Sequence, residues 1–211
     1  MTPFRNFTTL CAILLLAAST ISGAGCARVL DPGPAPQRIL LSPDMPRTDA
    51  TPRPAAPVQL AVSLPETTRS LDTDHIAILQ GRELSYLPNV RWGSHVPQML
   101  QRHIIDALDA GTRIGTVSAE SAGVFPDVRL MVDIQQFAAR TEARETGVDI
   151  RLRLQMLDVR KGRIIASQNV EAYVPLADDR RATLLDGFEA ALSGILEKTA
   201  RWVELTVQQR N

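Results

Sequence analysis

Cysteine, lysine and histidine are scarce in this chain of 211 residues, and each shortage excludes a class of function. Two cysteines and three histidines are too few for a disulfide framework or a four-cysteine zinc site. Lys161 and Lys198 are the two lysines, and neither follows a glycine-rich loop, so the Walker-type phosphate-binding loop of an ATPase is missing. The sequence also lacks H-E-x-x-H, C-x-x-C, calcium-loop and G-x-S-x-G patterns. We therefore predict that the protein is not an enzyme and has neither catalytic residues nor a metal site.

Charge is balanced along the chain, and neither sign is in excess. The 23 Lys and Arg residues match the 23 Asp and Glu residues, so the formal net charge is zero. Because proteins that bind nucleic acid need a concentrated basic surface, we expect no nucleic-acid partner. Apolar residues make up 45% of the chain, which is enough for a packed core. The length fits one ordinary domain with extensions.

Residues 1–25 have the layout of a bacterial export signal. Arg5 is the positive charge near the start, and an uncharged apolar run from Leu10 to Ala18 is too short to span a bilayer. Small residues then lead directly to Cys26. This arrangement resembles a lipobox, although Gly23 stands where lipoboxes usually carry Leu. The resemblance implies that residues 1–25 are removed and that Cys26 carries a diacylglyceryl group and an N-acyl chain.

The alternative is an ordinary signal peptide with a chance cysteine nearby. If Cys26 is acylated, Cys11 lies in the removed signal and the mature protein has no free thiol. We therefore expect no cofactor other than the covalent lipid. Ala27 follows the cysteine, and the absence of Asp at this position favours the outer membrane of a Gram-negative bacterium over retention at the inner membrane.

Residues 26–57 are predicted to be a lipid-anchored, proline-rich tether. Eight of the 14 prolines fall between Asp31 and Pro57, and proline is excluded from helix interiors and central strands. A semi-rigid extended spacer is the expected state. One apolar patch, Ile39-Leu40-Leu41, interrupts it and is a candidate edge strand on the folded domain. A flexible linker without function is the alternative for residues 42–56.

Residues 58–211 are predicted to be the folded domain. Val58 to Leu64 alternates as a strand, and two short apolar runs, 76–79 and 84–87, flank a turn as in a hairpin. Three longer alternating runs lie around residues 128–135, 148–156 and 164–174. The short connections between them predict an antiparallel meander.

Two amphipathic helices are predicted to cover this sheet. The first is expected to begin at Ser94, with Pro97 in its first turn, and to end at Gly111. The second is expected from Asp178 or Asp179 to about Thr206. Its apolar stripe consists of Leu185, Phe188, Leu192, Ile195, Thr199 and Trp202. The predicted fold class is α/β (α+β): a mostly antiparallel, curved sheet with two long helices packed mainly on one face.

The segment from Leu84 to Trp92 is the most distinctive part of the domain. It leads from a strand through an x-Tyr-x-x-Asn-x-x-Trp turn into the first helix. Together with Asp74-His-Ile-Ala-Ile, the three long strands and the C-terminal Phe188 and Trp202, it resembles the auxiliary lipoproteins of ABC-type transport systems. The resemblance spans about Arg38 to Val203. It departs from the family pattern in the start Arg38-Ile-Leu-Leu41, where aromatic residues are usual, and in the long proline-rich insertion.

The resemblance implies a non-enzymatic component that accompanies mammalian-cell-entry-type lipid transporters and links the transporter to the outer membrane from the periplasmic side. Its implied partners are the membrane, through the lipid anchor, and the substrate-binding protein or other subunits of the transporter. An outer-membrane assembly or envelope-scaffold lipoprotein, unrelated to lipid transport, remains the alternative. The candidate partner-binding residues are Tyr86, Asn89 and Trp92, and Trp92 has the alternative of packing beneath the first helix.

Overall fold

The fold was determined as a computed structural model that describes residues 35–47, 56–142 and 145–210. Cys26 and the predicted signal peptide lie outside the described residues. Within them, nine strands form one sheet. The strands are β1 (Gln37–Ile39), β2 (Ala56–Val62), β3 (Glu66–Thr67), β4 (His75–Gln80), β5 (Glu83–Trp92), β6 (Ile114–Ala119), β7 (Val128–Glu142), β8 (Glu145–Asp158) and β9 (Arg163–Leu176).

The long strand β7 organises the sheet. One of its edges pairs along its length with β8, which pairs in turn with β9, and both pairings are antiparallel. The other edge takes three neighbours in succession, β2, β3 and β4, all of them parallel to β7. Strand β5 pairs antiparallel with β4, while β6 lies parallel beside β2. The predicted hairpin and antiparallel meander are confirmed, and the parallel pairings are an addition.

Two long helices, α1 (Val96–Gly111) and α2 (Arg181–Arg210), complete the fold, with a short 3-10 turn at Glu120–Ala122. The residue that caps α1 is His95, so the predicted cap at Ser94 is one position early, while Pro97 lies in the first turn as expected. Helix α2 begins after Asp178, whose carboxylate accepts a hydrogen bond from the N–H of Arg180 (3.1 Å). No helix in the described ranges is long and apolar enough to cross a bilayer.

The core lies between the helices and the inner face of the sheet. The predicted stripe on α2 is buried at Phe188, Leu192, Ile195 and Thr199 and half-buried at Leu185 and Trp202. Alternate residues of β7 and β8 fill the space opposite, whereas Arg151 and Arg153 of β8 are exposed. This in-and-out alternation is the pattern of a sheet that is covered on one face.

Residues 37–47, here called the N-terminal arm, are packed on the domain although they fall within the predicted tether. Strand β1 pairs parallel with the end of β5, with Ile39 opposite Trp92. The prediction of an edge strand at Ile39-Leu40-Leu41 is therefore confirmed. Beyond it, Leu41 is buried, with 6% of its surface exposed, and Pro43 is buried as well.

Hydrogen bonds fix the arm to α2. The N–H of Ser42 donates to the Glu189 carboxylate (3.0 Å), and the N–H of Asp44 donates to Oγ of Ser193 (2.9 Å). At the end of α1, Gly111 lies so close to the arm that an added Cβ would come within 2.8 Å of the Pro46 ring. The arm packs because two of its backbone amides donate to side chains of α2 and Pro46 lies against the end of α1.

Candidate partner-binding surface

Strand β5 contains a wide bulge that determines where its side chains point. Ala77 of β4 lies opposite Tyr86, and His75 lies opposite Arg91. Strand β4 advances by two residues over this stretch while β5 advances by five, so three residues of β5 are additional. Asn89 lies in the bulge with a φ of 58°, a left-handed conformation that Asn tolerates better than most residues.

The bulge explains the spacing of Tyr86, Asn89 and Trp92. Tyr86 precedes it and Asn89 lies in it, and both side chains are exposed. Trp92 follows it and is fully buried. In the structure, the segment with this motif interrupts its pairing with β4 between Tyr86 and Arg91, and the side chains of Tyr86 and Asn89 are exposed there.

Tyr86 is held in place at the surface. Its hydroxyl donates to the carbonyl of Ser70 (3.0 Å), and its ring lies 4.9 Å from the His75 ring, measured between centroids. The side chain retains 37% exposure. A fixed and partly exposed tyrosine loses little conformational entropy when it contacts a partner.

Trp92 belongs to the core. Its ring lies 5.1 Å from Phe188 of α2 and 6.1 Å from Phe137 of β7, both edge-to-face, a favourable geometry for aromatic pairs. With no exposed surface, it cannot form an exposed rim, so that interpretation is wrong for Trp92. Trp92 is packed in the core, as the alternative expected, but its aromatic neighbours belong to α2 and β7 and not to the first helix.

A charged cluster centred on Asp74 lies beside these residues. Its carboxylate accepts from Arg38 of the arm (3.2 Å) and from Arg91 of β5 (3.4 Å). Arg38 also donates to the carbonyl of Trp92 (3.2 Å), and Arg91 contacts the imidazole of His75. Two guanidinium groups against one carboxylate leave a positive excess at this position. The cluster therefore joins the arm, β5 and the loop before β4.

Sequence reasoning did not assign a role to Asp74, Arg38 or Arg91. The signal that was available is Asp74-His-Ile-Ala-Ile, which the family resemblance already used. The pairing of Arg38 with Asp74 joins residues that are 36 positions apart, so only the folded chain brings them together. Tyr86, Asn89, Arg91, Asp74 and Arg38 are together called the β5 surface.

The chemistry of the β5 surface suits recognition of another protein. Tyrosine and arginine are the side chains that most often contribute strongly to interfaces. In the residues that the structure describes, no three His, Cys, Asp or Glu side chains come together as metal ligands. The surface offers hydrogen-bond donors, one aromatic ring and a net positive charge.

The sequence pattern of the family described as ABC-type transport auxiliary lipoprotein component matches residues 40–200. The chain belongs to this family. The matched range starts in the N-terminal arm and includes Asp74, Tyr86, Asn89 and Arg91. The description of the family is that of an auxiliary lipoprotein component of ABC-type transport.

Individual relatives support the fold. The chain is 26% identical to the uncharacterized protein bll6063 of Bradyrhizobium diazoefficiens over 165 residues, covering 72% of this chain and 42% of that protein. The chain therefore spans less than half of that relative. The crystal structure of protein XCC0632 from Xanthomonas campestris has a TM-score of 0.74 at 21% identity, covering 82% of this chain and 98% of the other. A second crystal structure, of an uncharacterized protein, has a TM-score of 0.61 at 16% identity, covering 81% and 99%.

Proposed function

We propose that this auxiliary lipoprotein is a non-enzymatic periplasmic accessory of a mammalian-cell-entry-type ABC transporter, which moves lipids between the two membranes of a Gram-negative cell. In this proposal an acylated Cys26 anchors it to the periplasmic face of the outer membrane. The β5 surface binds the substrate-binding protein or another subunit and so links the transporter to that membrane.

The docked N-terminal arm is the observation that carries the proposal. The chain from Cys26 to Gln37 advances eleven residues, which span at most about 40 Å when fully extended. Gln37 is fixed to the domain because β1 pairs with β5. An anchor at Cys26 would therefore hold the domain close to the membrane, as a linking component requires.

The place where the arm joins the domain is also the β5 surface. Arg38 of the arm is one of the two guanidinium groups that bind Asp74, so the segment that leads to the anchor contributes directly to the surface. Binding of a partner there would be coupled to the position of the anchor. This arrangement supports a linking role for the β5 surface.

Co-purification tests the proposed partner. The full chain, tagged at its C-terminus and extracted in mild detergent, is expected to retain the substrate-binding protein, permease or ATPase of a lipid transporter. Recovery of barrel-assembly or peptidoglycan-associated proteins without any transporter subunit would contradict the proposal and favour the envelope-scaffold alternative.

The two tyrosines of the chain provide a matched test of the β5 surface. Tyr86 is 37% exposed and Tyr173, on β9, is 41% exposed. Tyr86→Ala is expected to weaken binding of the transporter subunit about tenfold, in the range for interface tyrosines, and Tyr173→Ala to leave it unchanged. Equal effects of the two substitutions would argue against this surface.

Anchoring is tested separately. Cys26→Ala in the full chain is expected to move the protein out of the outer-membrane fraction and to abolish labelling by a palmitate analogue. An unchanged distribution would show that the chain is held by something other than a lipid at this position. Partner binding by the β5 surface is measured independently of this result.

A further inference from the structure

The loop between the 3-10 turn and β7 presents apolar side chains directly to solvent. Phe125 is 94% exposed and Val124 is 45% exposed, and Pro126 follows them in the sequence. No other large apolar side chain among the described residues is as exposed as Phe125. An aromatic ring in this position has no role in the core, and with Val124 beside it the loop offers a small apolar tip to a ligand.

Hydrogen bonds hold the base of this loop rigid. The N–H of Asp127 donates to the carbonyl of Gln59 (2.8 Å), and the N–H of Gln59 donates back to the Asp127 carboxylate (3.1 Å). The carbonyl of Asp127 accepts from the N–H of Val159 (3.1 Å). On the other side, Arg129 pairs with Glu120 at 2.8 Å. The apolar tip is therefore presented on a fixed base.

A strongly basic turn lies at the same end of the sheet, where β7 and β9 begin and β8 ends. Strand β7 begins at Val128, opposite Asp158 at the end of β8, and β9 begins at Arg163. The connection between β8 and β9 includes Arg160-Lys161-Gly162, and these three residues and Arg163 at the start of β9 are all exposed. The bond from Val159 to Asp127 joins this turn directly to the apolar loop.

The acidic groups at this end of the sheet do not neutralise the positive charge of the basic turn. Asp158 has no exposed surface and pairs with Arg210 at 3.0 Å and with Lys161 at 3.6 Å. Asp127 is partly exposed and lies 4.0 Å from the Arg210 guanidinium. Among the described residues, Arg160 and Arg163 form no ion pair. Two exposed guanidinium groups, those of Arg160 and Arg163, thus lie at the same end of the sheet as the apolar tip.

We infer that this end of the domain binds an anionic membrane surface, with Phe125 and Val124 inserted at the interface and Arg160 and Arg163 on the lipid phosphates. An apolar tip beside cations matches the layering of acyl chains beneath charged headgroups. A pocket in a protein partner would accept Phe125 without needing the basic turn. The inference goes beyond the proposed function, because it does not depend on the transporter or on Cys26.

The test places a fluorescent reporter at the loop in the full chain. Phe125→Trp keeps an aromatic residue suited to the interface, and Tyr173→Trp, at a position that is 41% exposed near the other end of β9, is the matched control. Trp92 and Trp202 give a background that is common to both variants and is subtracted. Each variant is incubated with phosphatidylglycerol vesicles whose acyl chains are brominated, because bromine quenches tryptophan on contact.

Quenching is expected for the tryptophan introduced by Phe125→Trp and not for the one introduced by Tyr173→Trp. The affinity for the vesicles, taken from the dependence of quenching on lipid concentration, should weaken with added salt. It should fall about fivefold with Arg160→Gln and about fivefold with Arg163→Gln, as expected for the loss of one surface charge in each variant. Circular dichroism of each variant checks that the fold is intact.

Three results would overturn the inference. The first is no quenching, with the new tryptophan as accessible to aqueous iodide as the control. The second is equal quenching in neutral phosphatidylcholine at every salt concentration, which would exclude an anionic ligand. The third is protection from iodide only after addition of co-purifying proteins, which would assign the loop to a protein partner.

Discussion

The two halves of β5 differ in solvent exposure although they belong to one strand. Residues 83–86 and 88–89 are exposed, whereas Val90 and Trp92 are 1% and 0% exposed. The first half presents Tyr86 and Asn89 to solvent, and the second half supplies the largest side chain of the core. The bulge between them separates a part that stabilises the fold from a part that is available to a partner.

The same contrast holds for two aspartates that each bind two basic residues. Asp158 is fully buried between Lys161 and Arg210. Asp74 binds Arg38 and Arg91 with 22% of its side chain exposed. The first arrangement holds the end of α2 to the sheet, and the second remains accessible on the β5 surface.

Trp92→Ala is expected to have the largest effect on stability. Removing a fully buried ring that packs on Phe137 and Phe188 should lower the free energy of unfolding by about 3–5 kcal/mol, measured by denaturant unfolding of the full chain. Tyr86→Ala, on the exposed half of β5, should cost less than about 1 kcal/mol. Similar losses for the two variants would contradict the division of the strand.

Asp158→Asn is expected to have the next largest effect, and this effect should depend on pH. The backbone N–H of Lys161 and the Arg210 guanidinium hold the pKa of Asp158 at about 2, below the value of about 4 for an unfolded chain. The ionised carboxylate therefore stabilises the fold fully above pH 4, and this contribution is lost as the pH falls towards 2. The difference in free energy of unfolding between wild type and variant, measured by denaturant unfolding at pH 7, 4 and 2, should become smaller as the pH is lowered from 4 to 2. A constant difference would show that the charge is not the cause.

Asn89→Ala should destabilise the domain by about 1 kcal/mol, because alanine adopts a positive φ less readily than asparagine. Asn89→Gly should change the stability little, since glycine has no Cβ to clash. Thermal unfolding of both variants distinguishes a conformational requirement from a side-chain contact. If the glycine variant loses as much as the alanine variant, the asparagine side chain itself is required.

Asp74→Asn should have the smallest effect, less than about 1 kcal/mol, because its ion pairs are partly solvated. Added salt should reduce the difference further. The measurement is the denaturation midpoint at low and high ionic strength. A loss as large as that of Asp158→Asn would show that the β5 surface is part of the stabilising core.

The local elements could be predicted from the sequence because their signals are local. The β4–β5 hairpin, the β7–β8–β9 meander and the two helices each depend on alternation, turn residues or helical spacing over short distances. The parallel pairing of β2, β3 and β4 with β7 was not predicted, because those partners come from distant parts of the chain. The edge strand at Ile39 was predicted, but the hydrogen bonds of Ser42 and Asp44 to α2 were not.

The candidate site shows the limit most clearly. Tyr86 and Trp92 are six positions apart, so a regular strand would place both on the same face. Three additional residues in the bulge reverse this relation, and one aromatic residue enters the core while the other stays at the surface. No periodicity in Leu84–Trp92 indicates the bulge, although Pro88 and Asn89 are residues that such a break can accommodate.

By itself, the sequence determined the class of the fold, the order of its main elements, the family and the shortage of catalytic groups, since these follow from composition, short-range patterns and motifs. Only the tertiary structure decided which aromatic residue is buried, that the arm is docked, and that Arg38 and Arg91 meet at Asp74. It also decided that Phe125 lies beside a basic turn. These features depend on contacts between residues far apart in the chain, and their geometry exists only once the sheet has formed.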